Sequence, residues 1–324
     1  MKKLGCIALA IAWTYSLVPA SAAEYRWLNS WDANFPPAKI FAETYRKGIE
    51  SATKGRMTFA VSGPETVPTF EQFQPLTAGA FQFLYTHGAF HFGTTPMLAV
   101  IEALGGTPEQ RRKSGVFEAV DKHYQRLGAK LVAIGMTPNE GYQIILRKPV
   151  TAAGDLQGYK IRGNPTYIPI LQMLGATMVT LPPNEVYSAL DKGVVDGFAW
   201  LGYGVVESRL YEPSKFILRP GFGFNAQAVL MNLAAWNKLS DEDKKIVLDE
   251  GEKAAAHWLK ESSRLIQEEE KNLVAKGLQV TNLGAEQKAK LARTWSTGLW
   301  DLASKTHKKD VDELRAIAKE KGLD

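Results

Sequence analysis

The sequence has 324 residues, of which 23% are charged, and its formal net charge is +5. The basic residues are spread along the chain without a basic block interleaved with aromatic residues, which argues against nucleic-acid binding. Cys6 is the single cysteine, and it precedes an apolar run near the amino terminus. Without a further cysteine, the rest of the chain cannot form disulfides, cysteine nucleophiles or thiolate metal sites. It must therefore be stabilised by a large apolar core, and a chain of this length is expected to form two lobes.

The first residues have the pattern of a secretory signal peptide. Two lysines follow Met1, residues 7–18 are mostly apolar, and Ala20-Ser21-Ala22 has the small residues that signal peptidase requires. The apolar run is too short to span a bilayer, and no stop-transfer segment follows it. Residues 1–23 are therefore predicted to be a signal peptide cleaved near Ala22 or Ala23. The remaining chain is expected in the periplasm, without a membrane span.

Strand and helix patterns alternate along most of the chain, which predicts an α/β fold with a largely parallel sheet in its first half. Between helical segments, the apolar periodicity indicates strands at 25–29, 57–61, 81–85, 130–134, 141–146, 156–162 and 194–200. The alternation starts again near residue 140. We therefore expect a first lobe of residues 24–139 with part of 229–268, and a second lobe of residues 140–228 with 269–324.

One helical pattern is much longer than the others. Ser240, followed by Asp243, has the form of a helix start, and the pattern continues to about residue 275. At a rise of about 1.5 Å per residue this helix is roughly 50 Å long, which exceeds the width of one lobe. Residues 240–275 are therefore predicted to bridge the lobes, and a long surface helix is the alternative.

Motifs typical of enzymes are missing from the sequence. It has no P-loop, no His-Glu-x-x-His and no Gly-x-Ser-x-Gly elbow. Gly221-Phe-Gly-Phe-Asn-Ala226 imitates a dinucleotide-binding pattern, but an extended segment follows where a helix should begin. His87 and His91 have the spacing of two metal ligands on a helix, yet they lie at a strand end and in a loop. The sequence therefore predicts no catalytic residue, no metal site and no cofactor.

The segment Gly158-Tyr-Lys-Ile-Arg-Gly-Asn-Pro165 places a fixed positive charge where a strand passes into a helix. Asn164 is a suitable helix cap and Pro165 suits the first turn, so the helix start is expected to favour an anion. The guanidinium of Arg162 matches a carboxylate with two parallel hydrogen bonds. A second strand end brings Phe198 and Trp200, which are expected to form an apolar wall over a small ligand.

Four motifs resemble the solute-binding proteins of tripartite ATP-independent periplasmic (TRAP) transporters, of the dicarboxylate-binding type. They are Gly158-Tyr-Lys-Ile-Arg162, Leu174-Gly-Ala176, Pro182-Pro-Asn-Glu-Val-Tyr-Ser-Ala-Leu190 and Gly193-Val-Val-Asp-Gly197. The resemblance implies two α/β lobes, joined by hinge strands and a long helix, that close around a ligand. It also implies that the loaded protein delivers its cargo to integral-membrane transporter subunits.

The resemblance also implies which residues contact the ligand. Arg162 is expected to anchor a carboxylate. Tyr142 and Trp200 stand where some sialic-acid binders have an arginine and an asparagine, which favours a smaller or flatter acid with an apolar or aromatic body. The full set of predicted ligand-binding residues is Arg162, Asn164, Trp200, Phe198, Tyr142, His87, Tyr85 and Trp31. A monocarboxylate is the expected ligand and a C4-dicarboxylate the runner-up. A binding protein for a sensor or receptor system, or an exported hydrolase, is the alternative function.

Overall fold

A computed structural model describes residues 23–324 of the chain. The signal peptide predicted for residues 1–23 lies almost wholly outside the described residues. The described strands, in chain order, are β1 (Ala23–Asn29), β2 (Met57–Ser62), β3 (Phe83–His87), β4 (Ala129–Met136), β5 (Tyr142–Leu146), β6 (Lys160–Gly163), β7 (Thr177–Thr180), β8 (Gly197–Leu201), β9 (Phe216–Phe222), β10 (Ala226–Asn232) and β11 (Gln279–Asn282).

Ten α-helices lie between or after these strands in the described chain. They are α1 (Glu43–Ala52), α2 (Phe73–Thr77), α3 (Met97–Val100), α4 (Pro108–Arg112), α5 (Val116–Arg126), α6 (Ile168–Met173), α7 (Val186–Asp191), α8 (Leu233–Asn237), α9 (Asp241–Ala275) and α10 (Ala285–Glu320). None of the helices in this part of the chain combines the length and the apolar character needed to span a bilayer.

The strands form two mixed sheets, which confirms the two-lobe α/β fold. The first sheet has five strands in the order β2-β1-β3-β10-β4, and we call it, with the helices packed on it, the first lobe. Strands β1, β2 and β3 are parallel, but β10 is antiparallel to both β3 and β4. The prediction of a largely parallel sheet is therefore correct for β1, β2 and β3 but wrong for the pairing of β10 with β3 and β4. The difference arises because the chain enters β10 from the second lobe, so that β10 runs opposite to both of its neighbours.

The second lobe contains a six-stranded sheet in the order β11-β9-β5-β8-β6-β7. Strands β6, β7 and β8 are parallel, whereas β5 runs antiparallel to β8 and β9. The carboxyl ends of β6 and β8 therefore meet at one edge of this sheet. The arginine at position 162 and the tryptophan at position 200 both lie at that edge, which faces the first lobe.

Short linkers carry the chain between the lobes, and glycines let them pass close together. The Gly202 N–H donates to the carbonyl oxygen of Gly141 at 2.7 Å, and the Gly141 N–H donates to that of Gly223 at 2.9 Å. Gly223 has a φ of +57°, and a Cβ there would lie 2.6 Å from the indole of Trp295. Any larger residue at this position would strain the backbone and displace the tryptophan. We call this bundle of linkers the hinge.

Two long helices contact both lobes. Ser240 caps α9, since its hydroxyl accepts the Asp243 N–H at 3.1 Å. Gly251 of α9 packs against β4, and Glu269 near its other end accepts the Val205 N–H of the second lobe at 2.8 Å. Helix α10 packs on α6 and then on α3 and α5.

Helix α10 bends at His307, whose φ of −131° and ψ of 46° are not helical. The sequence predicted residues 269–324 in the second lobe, whereas the end of the chain contacts the first lobe. There, the Gly105 N–H donates to the carbonyl oxygen of Leu323 at 2.7 Å. The lobe boundaries remain a prediction.

Candidate functional site

The facing edges of the two sheets enclose two adjoining cavities. The outer cavity has a volume of about 350 Å³ and exposed residues such as Asp32 at its mouth. The inner cavity is about 30 Å³. Both are lined by Trp31, Phe35, Pro183 and Trp200. The ring of Phe35, from the first lobe, stands edge-on to that of Trp200, from the second, at 5.9 Å between centroids. Aromatic contact between the lobes therefore closes the cleft over the inner cavity.

Arg162 lies at the end of β6 and lines the inner cavity. Its Nε and Nη2 both donate to the carbonyl oxygen of Leu181, at 2.9 and 2.7 Å, and its Nη1 reaches that of Ala199 at 3.4 Å. A guanidinium has five N–H donors. The bonds to Leu181 use the side edge of the group, so the Nη1 and Nη2 protons at its tip stay available as a fork for a carboxylate.

The charge of Arg162 is buried without an acidic partner. The residue is 2% exposed, and across the described chain no carboxylate pairs with its guanidinium. Burial lowers the pKa of Arg162 to about 10, so the group still carries its charge at neutral pH. A buried cation without a counter-ion is costly, and an anion in the adjoining cavity removes that cost.

Asn164 adds a donor beside Arg162. Its side-chain Oδ1 accepts both the backbone N–H and the hydroxyl of Thr166, at 3.0 and 2.7 Å. Because this oxygen is used, the Nδ2 amide is the group that Asn164 offers to the cavity it lines. Asn164 thus caps the turn as the sequence predicts. The expected helix is shorter, however: a 3₁₀ turn at Pro165–Tyr167 precedes the six-residue α6. The anion-binding group here is accordingly the side-chain pair and not a long helix terminus.

Two further polar atoms of the cavity lining are buried without a hydrogen-bond partner within residues 23–324. They are the indole Nε1 of Trp200 and the carboxamide Oδ1 of Asn225. Buried polar groups in proteins almost always have partners. A ligand with both an acceptor and a donor would satisfy these two atoms together.

A network of buried polar side chains holds the lobes together at the floor of the cavity. The carboxylate of Glu102 in the first lobe lies 2.7 Å from Nε2 of His87 and accepts the Tyr142 hydroxyl of the second lobe at 2.8 Å. It also accepts the Ala226 N–H at 2.7 Å, and Nδ2 of Asn225 donates to the Tyr142 hydroxyl at 2.7 Å. The network fixes Tyr142 and His87 in the cavity wall, where both line the inner cavity.

The two histidines considered as metal ligands diverge. Nε2 of His91 lies 2.6 Å from the hydroxyl of Tyr124, and its ring stacks on Phe73 at 4.7 Å. Burial lowers the pKa of His91 to about 3, so the ring is neutral at physiological pH. Within the described residues, no three His, Cys, Asp or Glu side chains are grouped so as to hold a metal ion.

The structure brings six of the eight predicted ligand-binding residues to the inner cavity: Arg162, Asn164, Trp200, Tyr142, His87 and Trp31. Tyr85 and Phe198 line neither the inner nor the outer cavity. Tyr85 stands two residues before His87, and Phe198 two residues before Trp200, so each shares a strand face with a cavity residue but lies deeper. The Tyr85 ring is 5.2 Å from that of Trp31, and the Phe198 ring is 5.8 Å from that of Trp200. Their ligand-binding role stays a prediction.

Sequence reasoning missed several cavity residues. Phe35, Tyr167 and Asn225 line the inner cavity, and Glu102 supports its floor. Asn225 belongs to the Gly-Phe-Gly-Phe-Asn segment, which was considered above only as an accidental imitation of a nucleotide-binding pattern. The signal that could have indicated Asn225 is its polar side chain, placed between two segments of the hinge.

The buried carboxyl group of Glu269 should make the stability of the protein depend on pH. Burial raises the pKa of its carboxyl group from 4.5 to about 7. Because the folded-state pKa exceeds the unfolded value, the protonated carboxyl group stabilises the fold relative to the ionised one. This contribution to the free energy of unfolding is fully present below pH 4.5 and is lost as the pH rises to about 7, and it amounts to at most about 3 kcal/mol. We expect Glu269→Gln to reduce the decrease in melting temperature between pH 5 and pH 8. Exposed Glu268→Gln is the control, and an unchanged pH profile in Glu269→Gln would contradict the prediction.

Two lobes that enclose a cavity lined by a buried arginine without an acidic partner are the architecture of a ligand-binding receptor, and sequence comparison identifies the family. The family model described as bacterial extracellular solute-binding protein, family 7 (DctP), matches residues 30–305. The chain belongs to this family. The resemblance to TRAP solute-binding proteins that the motifs predicted is thereby confirmed.

Relatives of this family 7 protein include the monocarboxylate 2-oxoacid-binding periplasmic protein of Nostoc. It is 28% identical over 245 residues, which are 71% of this chain and 66% of the relative. The ectoine-binding periplasmic protein TeaA of Halomonas elongata is 28% identical over 176 residues, or 52% of each protein. The matches thus span between about half and two thirds of these curated relatives.

Solved structures share the fold at low sequence identity. An extracytoplasmic solute receptor of Bordetella pertussis, crystallised binding pyroglutamic acid, has a TM-score of 0.80 at 20% identity, covering 92% of this chain and 100% of the receptor. A TRAP periplasmic solute binding protein of Desulfovibrio salexigens with bound orotic acid has a TM-score of 0.80 at 20% identity, covering 92% and 98%. These similarities establish that the family 7 protein has the two-lobed fold.

Proposed function

We propose that this family 7 protein is the extracytoplasmic solute-binding subunit of a TRAP transporter. It captures a small organic monocarboxylate in the closed cleft and delivers it to the integral-membrane subunits. The protein acts in the periplasm after removal of the signal peptide near Ala22 or Ala23, and it binds its ligand without converting it. The observation that carries the proposal is the buried guanidinium of Arg162, which lines the cleft without an acidic partner in the described chain.

The distribution of charge favours a monocarboxylate over a C4-dicarboxylate. Among the described residues that line the inner cavity, Arg162 is the one with a fixed positive charge. The other basic group, His87, is already hydrogen-bonded to Glu102 at 2.7 Å. A second carboxylate would therefore have no cation to pair with, and burying it would be costly.

The walls of the cleft favour a compact ligand with an apolar or planar body. Trp31, Phe35 and Trp200 enclose the inner cavity and Tyr167 forms part of its wall. Arg162 stacks its guanidinium 5.3 Å from the centroid of the Trp200 ring, which holds the fork in place. The relative that binds 2-oxoacids and the fold neighbours bound to pyroglutamic and orotic acid support this ligand class.

A thermal-shift screen tests the ligand class. We expect pyruvate, pyroglutamate or related monocarboxylates to raise the melting temperature at millimolar concentration, since a ligand that binds only the folded state stabilises it. Glucose and the amide of each active acid serve as neutral controls and should leave the melting temperature unchanged. A screen in which neutral sugars stabilise the protein and carboxylates do not would reject the proposed function.

Transport, as opposed to signalling, needs a separate measurement. We expect the purified, loaded protein to support uptake of its acid by vesicles that contain TRAP membrane subunits of the same organism. If the loaded protein instead binds a receptor and no membrane subunits are encoded nearby, the sensor alternative is correct. Release of the acid unchanged from the protein, seen by mass spectrometry, would count against a hydrolase.

A further inference from the structure

A further cavity, separate from the outer and inner cavities, lies on the other side of the hinge from the ligand cleft. It has a volume of about 490 Å³, within the range of small-molecule sites. Its walls come from the loop after α3, from the linkers near residues 139–140 and 220–224, and from α10. A layer of aromatic rings separates it from the inner cavity: Trp295 lines the hinge side, and Tyr142, 5.2 Å from it between centroids, lines the cleft side. We call it the hinge cavity.

The hinge cavity contains the second buried arginine of the described chain that lacks an acidic partner. Arg111 is 2% exposed and lines the cavity. Its Nε and Nη2 donate to the carbonyl oxygens of Gly105 and Gly106, at 3.0 and 2.8 Å, and Nη2 also donates to Oδ1 of Asn139 at 2.8 Å. Its Nη1 is buried and has no hydrogen-bond partner among residues 23–324.

The surroundings hold this guanidinium rigidly. The ring of Phe224 lies 3.6 Å from Cζ of Arg111, in cation–π contact. Nη1 therefore keeps its N–H groups in a fixed position without an acceptor, and one of them can donate to an anion bound beside it. Burial lowers the pKa of Arg111 to about 10, which leaves it charged at neutral pH.

The other charged groups of the hinge cavity leave this charge unneutralised. Asp324 lines the cavity, but its carboxylate is paired with Nε of Arg315 at 2.8 Å. Glu102 directs its carboxylate to Tyr142 and His87, on the cleft side of the ring layer. Glu140 is an exposed residue at the rim, and Lys288 of α10 adds a second positive charge.

The remaining walls are largely apolar and aromatic. Leu104, Phe222, Phe224, Leu291 and Trp295 line the hinge cavity. A site with a fixed cation at one side and rings around it suits an anion with a flat or apolar body, because the body gains from burial while the anionic end pairs with Arg111.

We propose that the hinge cavity is a second binding site, separate from the cleft, for a small organic anion with an apolar or aromatic body. Nη1 of Arg111 donates to the anionic group, and the rings of Phe224 and Trp295 flank the body. Because its walls come from both lobes and from the linkers between them, an occupant contacts the elements on which lobe movement depends. Binding at the hinge cavity does not require that the cleft bind a carboxylate, so this proposal can be tested independently of the proposed function.

Fluorine NMR with 4-fluorobenzoate as the probe tests this site. The variant Arg162→Met removes the cleft anchor, and we expect it to retain binding of one probe molecule per protein. In the background of Arg162→Met, we expect Ala292→Trp to weaken that binding at least tenfold, since Ala292 is exposed and lines the hinge cavity, so that an indole there fills it. Ala289→Trp is the matched control, because Ala289 is an exposed residue of the same helix that does not line the cavity.

Arg111→Lys supplies the chemical test, and we expect it to weaken probe binding with little change in fold, because a lysine still donates to the nearby carbonyl oxygens. No probe binding to Arg162→Met at millimolar concentration, or equal binding by the Ala292→Trp and Ala289→Trp proteins, would overturn the second site. If Arg162→Met instead leaves all carboxylate binding unchanged while Ala292→Trp abolishes it, the hinge site stands and the cleft function fails.

Discussion

Arg162→Met is expected to weaken the binding of the cargo acid by at least about 100-fold. Hydrogen bonds to a charged group contribute about 1.5 to 3 kcal/mol each, so loss of a two-bond fork removes roughly 3 to 6 kcal/mol, and each 1.4 kcal/mol is a factor of ten. Isothermal titration calorimetry with the most stabilising acid from the thermal-shift screen measures the change. Arg162→Lys should lie between, about 10- to 100-fold weaker than wild type, because a point charge replaces the fork.

The unliganded stability of the same variant separates a binding role from a structural one. Arg162 is a buried charge without an acidic partner in the described chain, and its removal relieves that cost but leaves the carbonyl oxygens of Leu181 and Ala199 without their donor. Because the two effects oppose each other, Arg162→Met should change the ligand-free melting temperature only slightly. Arg147→Met, at an exposed position of the second lobe, should change neither affinity nor stability. If Arg162→Met unfolds the protein or binds the acid as wild type does, the anchor role is refuted.

Glu102→Ala is expected to lower the free energy of unfolding by about 3 to 5 kcal/mol. The substitution leaves Nε2 of His87, the Tyr142 hydroxyl and the Ala226 N–H without their acceptor, and each unsatisfied buried group costs about 1 to 3 kcal/mol. At about 2 to 4 °C per kcal/mol, the melting temperature should decrease by roughly 6 to 20 °C. Differential scanning calorimetry of the unliganded protein measures this.

The matched control for this substitution is Glu109→Ala, at an exposed site whose ion pair with Lys113 is screened by solvent and contributes little to stability. Glu102→Gln should lie between wild type and Glu102→Ala, because the amide keeps one acceptor oxygen. Equal melting temperatures for the Glu102→Ala and Glu109→Ala proteins would show that the network does not hold the lobes together.

The strand-end residues of the site could be predicted from the sequence because their signals are local. Arg162 and Asn164 stand within one short motif, at the point where a strand passes into a turn, and both line the inner cavity. Ser240 and the long helix that follows it were likewise indicated by spacing alone. Chain length and the restart of the strand–helix alternation near residue 140 predicted two lobes, and the family resemblance added that the lobes close around a ligand.

Other features depend on distant contacts and could not be predicted. Glu102 stands in the apolar segment Met-Leu-Ala-Val-Ile-Glu-Ala, and its partner residues Tyr142 and Ala226 are 40 and 124 positions away. The antiparallel direction of β10 follows from a crossing between lobes. Tyr85 was assigned to the ligand site from the resemblance and Phe198 from its place near a strand end, and neither signal indicates how deep along the strand a side chain lies.

A crystal structure of the protein with its acid most directly tests how the cleft works. We predict that the ligand carboxylate lies in the inner cavity with its two oxygens about 2.7 to 2.9 Å from Nη1 and Nη2 of Arg162, the range of charge-assisted bonds. The same structure should pair the indole Nε1 of Trp200 and the side chain of Asn225 with ligand atoms. A ligand whose carboxylate points to solvent, with Arg162 still unpaired beside it, would contradict the account.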